Sequence, residues 1–369
     1  MRTIAEIAQS LGLPAEGDLA LAIDRPAHPE GAGRDDLALA MDPKYLATLE
    51  AALGREDAPR AAMVPAGADW RALGLSAAIL VERARFAMAG VTRLFAAPLG
   101  AEPGVHPSAV VAAGAEIGEG AIIGPLTVIE SGARIGAGSH LVGQATVGAG
   151  AVIGDEALVY PGVRIGRDVR IGARAIIHPN ACIGSDGFSF VTPEKGAVEA
   201  AKASGAAMVE AETRNRVWAR IHSLGAVEIG DDVEIGAGTT IDRGTVADTR
   251  IGDGTKIDNQ VQIGHNVQIG RNCLLCGQAG VAGSAELGDR VVLGGQSGVA
   301  DHARLGSDVM VMATSGVSGM VKSGTIVGGT PAVPRDELAA LVMAQRRLPR
   351  LAKELQALKK RFPDDDANS

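Results

Sequence analysis

The feature that most constrains this chain is an aliphatic residue at every sixth position. One run extends from Val105 to Ile183, and a second extends from Ile229 to Val317 with four extra residues, ADTR, after the hexapeptide that begins at Ile241. A period of six fits neither the period of a helix, about 3.6, nor the alternation of an ordinary strand. It is typical of hexapeptide repeats that wind into a parallel β-helix. We therefore predict a mainly β fold, a left-handed parallel β-helix with three hexapeptides in each triangular coil.

The positions within a hexapeptide have different predicted roles. The aliphatic side chain points inward, and the fifth residue is usually a small Ala, Thr, Ser or Val because it fits the narrow interior. A glycine often follows the aliphatic residue, and we expect it to relieve the corner, where a positive φ favours glycine. Coils are expected to stack at the usual strand spacing, about 4.8 Å. Residues one coil, or three hexapeptides, apart therefore lie above one another.

The composition agrees with a stacked repeat and excludes several functions. The chain of 369 residues has 50 glycines but only 2% aromatic residues, whereas compact globules fill their cores with bulky rings. The net charge of −8 argues against nucleic acid as a partner. We predict no membrane span, because no apolar run approaches the roughly 20 residues that a bilayer requires. The N-terminus also lacks the long apolar run of a signal peptide.

The cysteines and histidines argue against a metal site. Three cysteines, an odd number, indicate reduced thiols and a cytoplasmic protein. Cys273 and Cys276 form one C-x-x-C pair, but the chain has no second pair, so we interpret both as small repeat residues. A zinc site built from histidines, as in carbonic anhydrases on such a β-helix, needs histidines close together, and these histidines are far apart in the sequence.

The repeat divides the chain into three parts. Residues 1–100 mix helix-like and strand-like segments and are predicted to form a small α/β domain. Residues 101–330 form the β-helix domain. Residues 331–369 are predicted to form C-terminal helices, separated at Pro349, and a disordered tail.

Residues 184–228 interrupt the hexapeptides and must leave the coil as a loop. The loop carries Phe188, Phe190 and Trp218 in a chain that has few aromatic residues. A loop of this length is more often functional than a simple packing flap, although a packing flap is the alternative.

The coil period places three candidate catalytic residues on one side of the predicted prism. Gly283 follows His265 by 18 positions, which puts it one coil above, and His302 follows by 37, two coils up and one residue along. This suits acyl transfer, because an imidazole can take the proton of a nucleophile while a backbone N–H stabilises the oxyanion. A free imidazole is mostly neutral at pH 7 and can accept a proton. The alternative is that these are an ordinary surface histidine and a common corner glycine.

A polar triplet, Asp258, Asn259 and Gln260, lies one face earlier than His265. Within one prism, side chains at these two positions point in different directions. If three prisms pack around a three-fold axis, Asp258 of one subunit can orient a histidine of the next. The alternative is that the triplet forms a solvated turn.

Several blocks of the sequence resemble one family, the UDP-3-O-acylglucosamine N-acyltransferases of lipid A biosynthesis. MDPKYLATL at 41–49, GSDGFSF at 184–190, IGDDVEIGAGTTIDRG at 229–244 and IDNQVQIGHNVQIG at 257–270 are similar to family blocks. The hexapeptides alone indicate only the wider acyltransferase superfamily. The N-terminal segment together with the DGF and TTIDRG blocks is specific, and the likeness covers nearly the whole chain.

The resemblance implies a homotrimer with active sites between neighbouring prisms. In such an enzyme His265 is the general base for the 2-amino group of UDP-3-O-(3-hydroxyacyl)-glucosamine. That amine attacks a 3-hydroxyacyl thioester on acyl carrier protein, the Gly283 N–H holds the oxyanion, and Asp258 and Asn259 support the site. The acyl group arrives on the phosphopantetheine arm of the carrier, so no cofactor bound to the enzyme itself is expected.

The resemblance also implies substrate-binding residues. His302 matches a second family histidine near the sugar nucleotide and the carrier arm. Tyr45 is expected to stack on uracil, with Asp42 nearby. Judged from the sequence alone, Tyr45 lies in a turn that leads into a helix, where a flat ring can receive a base; a ring packed within the α/β domain is the alternative.

Two features depart from the family pattern. The 184–228 loop is longer than usual and has an alanine-rich middle. Small residues also follow His302, at positions where larger side chains can limit a lipid groove, and we therefore expect a roomier acyl channel. These small residues are Ser315, Gly316 and Gly319.

The C-terminal segment is basic in an otherwise acidic protein. We expect this basic face to dock an acidic carrier protein, with an ordinary solvated helix face as the alternative. Its basic residues are Arg346, Arg347, Arg350, Lys353, Lys359, Lys360 and Arg361.

Two other functions stay open. The O-acyltransferase of the same pathway, which acts on UDP-N-acetylglucosamine, shares the β-helix and the carrier but usually lacks a domain like residues 1–100. A non-catalytic structural β-solenoid belongs to a different class, and it needs neither His265 nor an aromatic loop.

Overall fold

The chain divides into two compact units, residues 1–100 and 101–369. The first is a sheet covered by helices, and the second is a stack of coils followed by one helix. The computed structural model describes residues 1–97, 99–100, 102–193, 217–329 and 332–361, the last without the side chain of Arg361.

The N-terminal unit is a five-stranded mixed sheet between two apolar layers. Its helices are α1 (Ile4–Leu11), α2 (Leu46–Leu53) and α3 (Ala84–Phe95). Because side chains alternate along a strand, Met63 packs in one layer with α1 and α3, and Val64 packs in the other with α2.

The order of strands across this sheet is Ala15–Gly17, Ala77–Val81, Ala61–Pro65, Asp36–Leu39 and Arg25–Ala27. Arg2–Thr3 and Ala22–Ile23 form a separate antiparallel pair, and 3₁₀ turns occupy Pro29–Gly31 and Pro43–Tyr45.

The second unit is a parallel β-helix with three faces, which confirms the fold class predicted from the hexapeptides. The first face consists of Gly104–Val105, Ile122–Ile123, His140–Leu141, Leu158–Val159, Ile176–Ile177, Glu234–Ile235, Lys256–Ile257, Leu274–Leu275, Val292–Leu293, Met310–Val311 and Ile326–Val327. The second face consists of Val110–Val111, Val128–Ile129, Thr146–Val147, Arg164–Ile165, Cys182–Ser185, Thr240–Asp242, Gln262–Ile263, Gly280–Val281, Gly298–Val299 and Gly316–Val317. The third face consists of Glu116–Ile117, Arg134–Ile135, Val152–Ile153, Arg170–Ile171, Val227–Ile229, Thr249–Ile251, Gln268–Ile269, Glu286–Leu287, Arg304–Leu305 and Met320–Val321.

The register follows the hexapeptides. Gln262 pairs with Gly280, one coil or 18 residues further on. The spacing grows to 22 between Thr240 and Gln262, because the four extra residues bulge from that coil. From Ile123 to Val317 the aliphatic column is buried and, with the small fifth residues, forms one continuous core, as predicted; Val105, at the start of the column, is 47% exposed.

The predicted reason for the glycine after the aliphatic residue is wrong. Gly136 does not have a positive φ; a Cβ there would lie 2.4 Å from the backbone N of Asp155 in the coil above. Glycine is needed at this position because coils approach closely. The positive φ falls two residues further on, where Gly138 and, in later coils, polar residues such as Asn266 occupy the corner.

The insertion leaves the second face after Ser185 and returns at Val227. Its described ends include an antiparallel pair, Phe190–Val191 with Ala219–Arg220. The alanine-rich middle, within 194–216, lies outside the described residues, as does the predicted disordered tail from 362 onward.

The C-terminal segment is one helix, α4 (Arg335–Arg361), with Pro349 inside it, so the prediction of separate helices is wrong. A proline removes one backbone donor and crowds the preceding turn. Strong helix formers such as leucine, alanine, lysine and glutamate flank it and continue the helix on both sides. In the described part of the chain, no helix combines the length and apolar character needed to cross a bilayer.

Candidate active site

His265 lies at the corner between the second and third faces, just after Gln262–Ile263. The N–H of Ser284 donates to the His265 carbonyl at 2.9 Å, and the N–H of His302 donates to the Gly283 carbonyl at 3.2 Å. His265, Gly283 and His302 therefore occupy three successive coils of one corner.

The His265 ring packs directly against Gly283. A Cβ at Gly283 would lie 2.8 Å from Cε1 and 2.9 Å from Nε2 of the imidazole. At the same hexapeptide position elsewhere, the N–H of Gly277 donates to the Asp258 carboxylate and the N–H of Ala237 donates to the Asn259 side chain. Among the described residues, no backbone carbonyl accepts from the N–H of Gly283. The corner thus places an imidazole beside a backbone N–H donor.

A half-buried carboxyl group, Asp242, lies one coil below this pair. The Ser185 hydroxyl donates to Asp242 Oδ1 at 2.8 Å, and the Gln262 amide donates to Oδ2 at 3.3 Å. Burial raises the pKa of Asp242, while the Ser185 hydrogen bond and any positive charge on His265 oppose that rise. The sequence interpretation did not include Asp242, although the residue stands in the TTIDRG block, one coil before His265.

Asp258 and Asn259 lie at a different corner, between the first and second faces. Asp258 Oδ1 accepts from the Asn259 N–H at 2.7 Å, and its Oδ2 accepts from the Gly277 N–H at 2.9 Å. Both residues are exposed and stabilise coil corners. Among the described residues, no hydrogen bond joins either of them to His265, and His302, which is also exposed, forms no hydrogen bond with His265.

An open groove of about 460 Å³ runs along the corner that carries Asp258. Three glutamines one coil apart form a ladder along it. The Gln278 amide donates to Gln260 at 2.9 Å, and the Gln296 amide donates to Gln278 at 2.7 Å.

The second face, between the two corners, has a bare strip above Gln262. Gly280, Gly298 and Gly316 pair in register, and a Cβ built on any of them meets nothing within 4 Å. Ser315, which was expected to widen a channel, is buried instead, and its hydroxyl accepts from the Gly329 N–H at 2.7 Å. The open surface therefore depends on the glycines.

In the N-terminal unit, Asp42 and Tyr45 share one 3₁₀ turn, Pro43–Tyr45. Asp42 caps this turn by accepting from the Lys44 N–H at 3.1 Å. The half-buried Tyr45 ring stands edge-on to His28, with centroids 5.5 Å apart, and the Lys44 ammonium lies 4.9 Å from its centroid. The turn thus holds one aromatic ring beside a cation and a carboxylate.

No cluster of three or more His, Cys, Asp or Glu side chains suited to a metal occurs in the described ranges. Cys273 is buried, and burial raises the pKa of its thiol. Its sulfur lies 3.2 Å from the Gly288 carbonyl oxygen, inside the coil.

Residues 150–185 and 248–283 match the family model described as bacterial transferase hexapeptide (six repeats). A protein of Ruegeria pomeroyi is 50% identical over 359 residues, which cover 97% of each chain. One of Paracoccus denitrificans is 47% identical over 282 residues, which cover 76% of this chain and 75% of that one. Both are named UDP-3-O-acylglucosamine N-acyltransferase.

A solved structure of an Arabidopsis UDP-N-acetylglucosamine acyltransferase shares the fold with a TM-score of 0.50 and 24% identity, over 61% of this chain and 71% of that chain. Identity of one half along nearly the whole length is much more specific than this shared fold. The chain belongs to the UDP-3-O-acylglucosamine N-acyltransferase family.

Proposed function

We propose that this protein transfers a 3-hydroxyacyl chain from acyl carrier protein to the 2-amino group of UDP-3-O-(3-hydroxyacyl)-glucosamine. The observation that carries the proposal is the His265 ring packed directly against Gly283, beside its backbone N–H. The names of the two relatives supply the acceptor sugar.

The chemistry follows from this pair. The amine nitrogen attacks the thioester carbonyl carbon, and His265 takes the proton that the amine loses. The Gly283 N–H donates to the oxyanion that forms; such a donor typically contributes a factor of about 10²–10³ to kcat. The C–S bond then breaks, the phosphopantetheine thiol leaves with a proton, and an amide remains.

The remaining predicted roles belong to the same proposal. Asp258 and Asn259 serve the site from a neighbouring subunit of a homotrimer, and His302, at the same corner as His265, lies near the sugar nucleotide and the carrier arm. Tyr45 and Asp42 bind the uridine. The three free thiols are consistent with a reducing cytoplasm.

An apolar column on the first face supports self-association. Leu274 and Ile326 are 45% and 67% exposed there, an unusual run of apolar residues for a surface strand. The outward apolar side chains of this face are Ile122, Leu158, Ile176, Leu274, Val292, Met310 and Ile326.

An acceptor comparison tests the proposed function. Purified protein and 3-hydroxyacyl carrier are incubated with UDP-3-O-acylglucosamine or with UDP-N-acetylglucosamine. Acylation of the free amine alone is the expected result. Acylation of the acetamido sugar would favour the O-acyltransferase alternative, and no transfer to either sugar would favour a structural solenoid.

The glycine strip on the second face predicts an acyl channel that accepts long chains. Replacing Gly316 with leucine places a side chain in open space on that face. We expect the Gly316→Leu variant to keep its rate with short 3-hydroxyacyl carriers and to lose about tenfold or more with long ones, on the scale of ~1–3 kcal/mol for pocket fit. A strict preference of the unaltered protein for short chains would reject the channel.

The basic residues of α4 are exposed in the described helix and fit an acidic carrier. Charge reversal at Arg346 and Arg347 is expected to raise the KM for the carrier about tenfold at low salt and to leave the KM for the nucleotide sugar unchanged. The difference in carrier KM between the variant and the unaltered protein should be smaller at high salt, because salt screens the charges of the helix and of the carrier. An unchanged carrier KM at low salt would count against docking there. The test does not include Arg361, whose side chain lies outside the described part of the chain.

A further inference from the structure

The His265 ring is held between two glycines from different parts of the chain. Gly283 packs on the edge that carries Cε1 and Nε2, from the coil above. Gly187, from the start of the insertion, packs on the opposite side: a Cβ there would lie 2.7 Å from His265 Cβ and 2.8 Å from Cδ2. Since neither position has room for a methyl group, the two glycines confine the ring.

The third contact is an amide whose orientation is fixed. Asn266 Oδ1 accepts from the backbone N–H of Thr245 at 2.7 Å. The amide oxygen is therefore the end that faces Thr245, and the NH₂ group is the end that faces His265. That NH₂ group lies 3.2 Å from His265 Nδ1. The Asn266 N–H donates to the Thr249 hydroxyl at 3.0 Å, which further fixes the corner.

The two ends of the insertion are hydrogen-bonded to the parts of the chain that hold Gly187 and Asn266 against His265. At its start, the Gly187 N–H donates to the buried Ser223 hydroxyl at 3.0 Å, which joins the two ends of the insertion. At its end, the Leu224 N–H donates to the Thr245 carbonyl at 2.8 Å. Thr245 is the residue that orients Asn266. The contacts therefore form a closed ring from Gly187 to the end of the insertion and back to His265.

A buried arginine ties this ring to the β-helix. Arg243 Nε donates to the Gly225 carbonyl and its guanidinium also donates to the Arg167 carbonyl, both at 2.8 Å. Burial lowers the pKa of this arginine. Arg220 and Asp186 form an ion pair at 3.0 Å across the two ends.

We propose that the ends of the 184–228 insertion and Asn266 form a positioning bracket for His265, in which Gly187 and Asn266 hold the imidazole against the Gly283 N–H. The bracket rests on the proposed role of His265 as the base. It gives the insertion a function that needs neither contact with substrate nor its central residues.

The bracket also selects a tautomer. Because the Asn266 NH₂ group can only donate, neutral His265 accepts at Nδ1 and carries its hydrogen on Nε2. Nδ1 receives the amine proton once the amine replaces the Asn266 NH₂ group at that nitrogen, so Asn266 positions the resting ring and the two glycines confine it during the transfer. The Nε2–H stays in place throughout.

Gly187→Ala tests the packing contact. Its φ is not positive, so the backbone accepts alanine, and the three heavy atoms nearest to the added Cβ all belong to His265. We expect kcat to fall about tenfold to a hundredfold, since small misplacements of a catalytic group have effects of that order. The KM for the nucleotide sugar should stay within about twofold.

Two glycine controls separate positioning from folding. Gly67→Ala adds a methyl group in open space and should change nothing. Gly148→Ala adds a Cβ 2.6 Å from the Arg167 backbone N, lower on the solenoid, and should lower the melting temperature. A Gly187→Ala variant with unchanged kcat, or one whose loss matches a fall in melting temperature like that of Gly148→Ala, overturns the bracket.

The second test reads the tautomer directly and does not depend on activity. Long-range ¹H–¹⁵N spectra of ¹⁵N-histidine-labelled protein are recorded above pH 8, with the His265→Gln variant to assign the signal. The Nε2–H form is expected in the unaltered protein and the Nδ1–H form in Asn266→Asp, because a carboxylate accepts where the amide donated. An Nδ1–H form in the unaltered protein, or the same form in both, contradicts the proposal.

The outcomes distinguish this inference from the proposed function. Full activity of the His265→Gln variant rejects the base itself. An inactive His265→Gln variant beside a fully active Gly187→Ala variant rejects the bracket alone.

Discussion

Replacement of His265 with alanine is expected to lower kcat by about 10²–10⁴, the usual contribution of a positioned general base. The KM for UDP-3-O-acylglucosamine should change little, because the side chain acts on the proton released during attack. The structure gives a reason for an effect of this size, since the ring lies against the Gly283 donor and no other described histidine shares that corner contact. Steady-state kinetics with a saturating carrier thioester measure it.

A matched histidine controls for general damage to the β-helix. His106 is exposed near the first coil, where Nδ1 lies 2.9 Å from the Ser108 hydroxyl. His106→Ala should keep the rate of the unaltered protein. An equal fall in kcat in both variants, or no fall in His265→Ala, would show that His265 is not the general base.

The largest expected effect on stability follows Ile129→Ala. The Ile129 side chain is fully buried in the column of aliphatics and leaves a cavity that rigid neighbouring coils cannot fill. We expect the free energy of unfolding to fall by about 2–5 kcal/mol. Because coils of a solenoid contact only their neighbours, the loss should appear as early melting of part of the stack. Urea unfolding followed by circular dichroism measures both.

The neighbouring Val128 supplies the control. It lies on the same strand but points outward and is only half-buried. Val128→Ala should cost less than about 1 kcal/mol, the usual range for a surface position. Equal costs at the two positions would show that the inward column is not the source of stability.

The architecture and the contact between His265 and Gly283 could be predicted because the repeat turns sequence distance into spatial distance. With three hexapeptides in a coil, two residues 18 apart must be neighbours, whatever their side chains. The pairing of Gln262 with Gly280 shows that the period holds at the site itself. In no other part of the chain does the separation of two residues in the sequence predict their distance in space so directly.

The supporting residues could not be found in this way. Gly187 reaches His265 only because the insertion folds back on the coil, and the hexapeptide period carries no information about an insertion. In the sequence, Asn266 looks like an ordinary corner residue. Only the structure shows that Thr245, in the bulge of the coil below, fixes the orientation of its amide. The effect of Pro349 was overestimated for a related reason, since the helix formers around a proline decide whether a helix continues.

The most direct test of the central claim is a crystal structure with an unreactive analogue of the acyl carrier thioester and the amine acceptor. We expect the carbonyl oxygen of the analogue about 2.7–3.1 Å from the Gly283 nitrogen, the distance of a working oxyanion donor. The acceptor amine should lie within about 3.2 Å of a nitrogen of His265. A carbonyl bound away from this corner, or an amine facing a different base, would contradict the account.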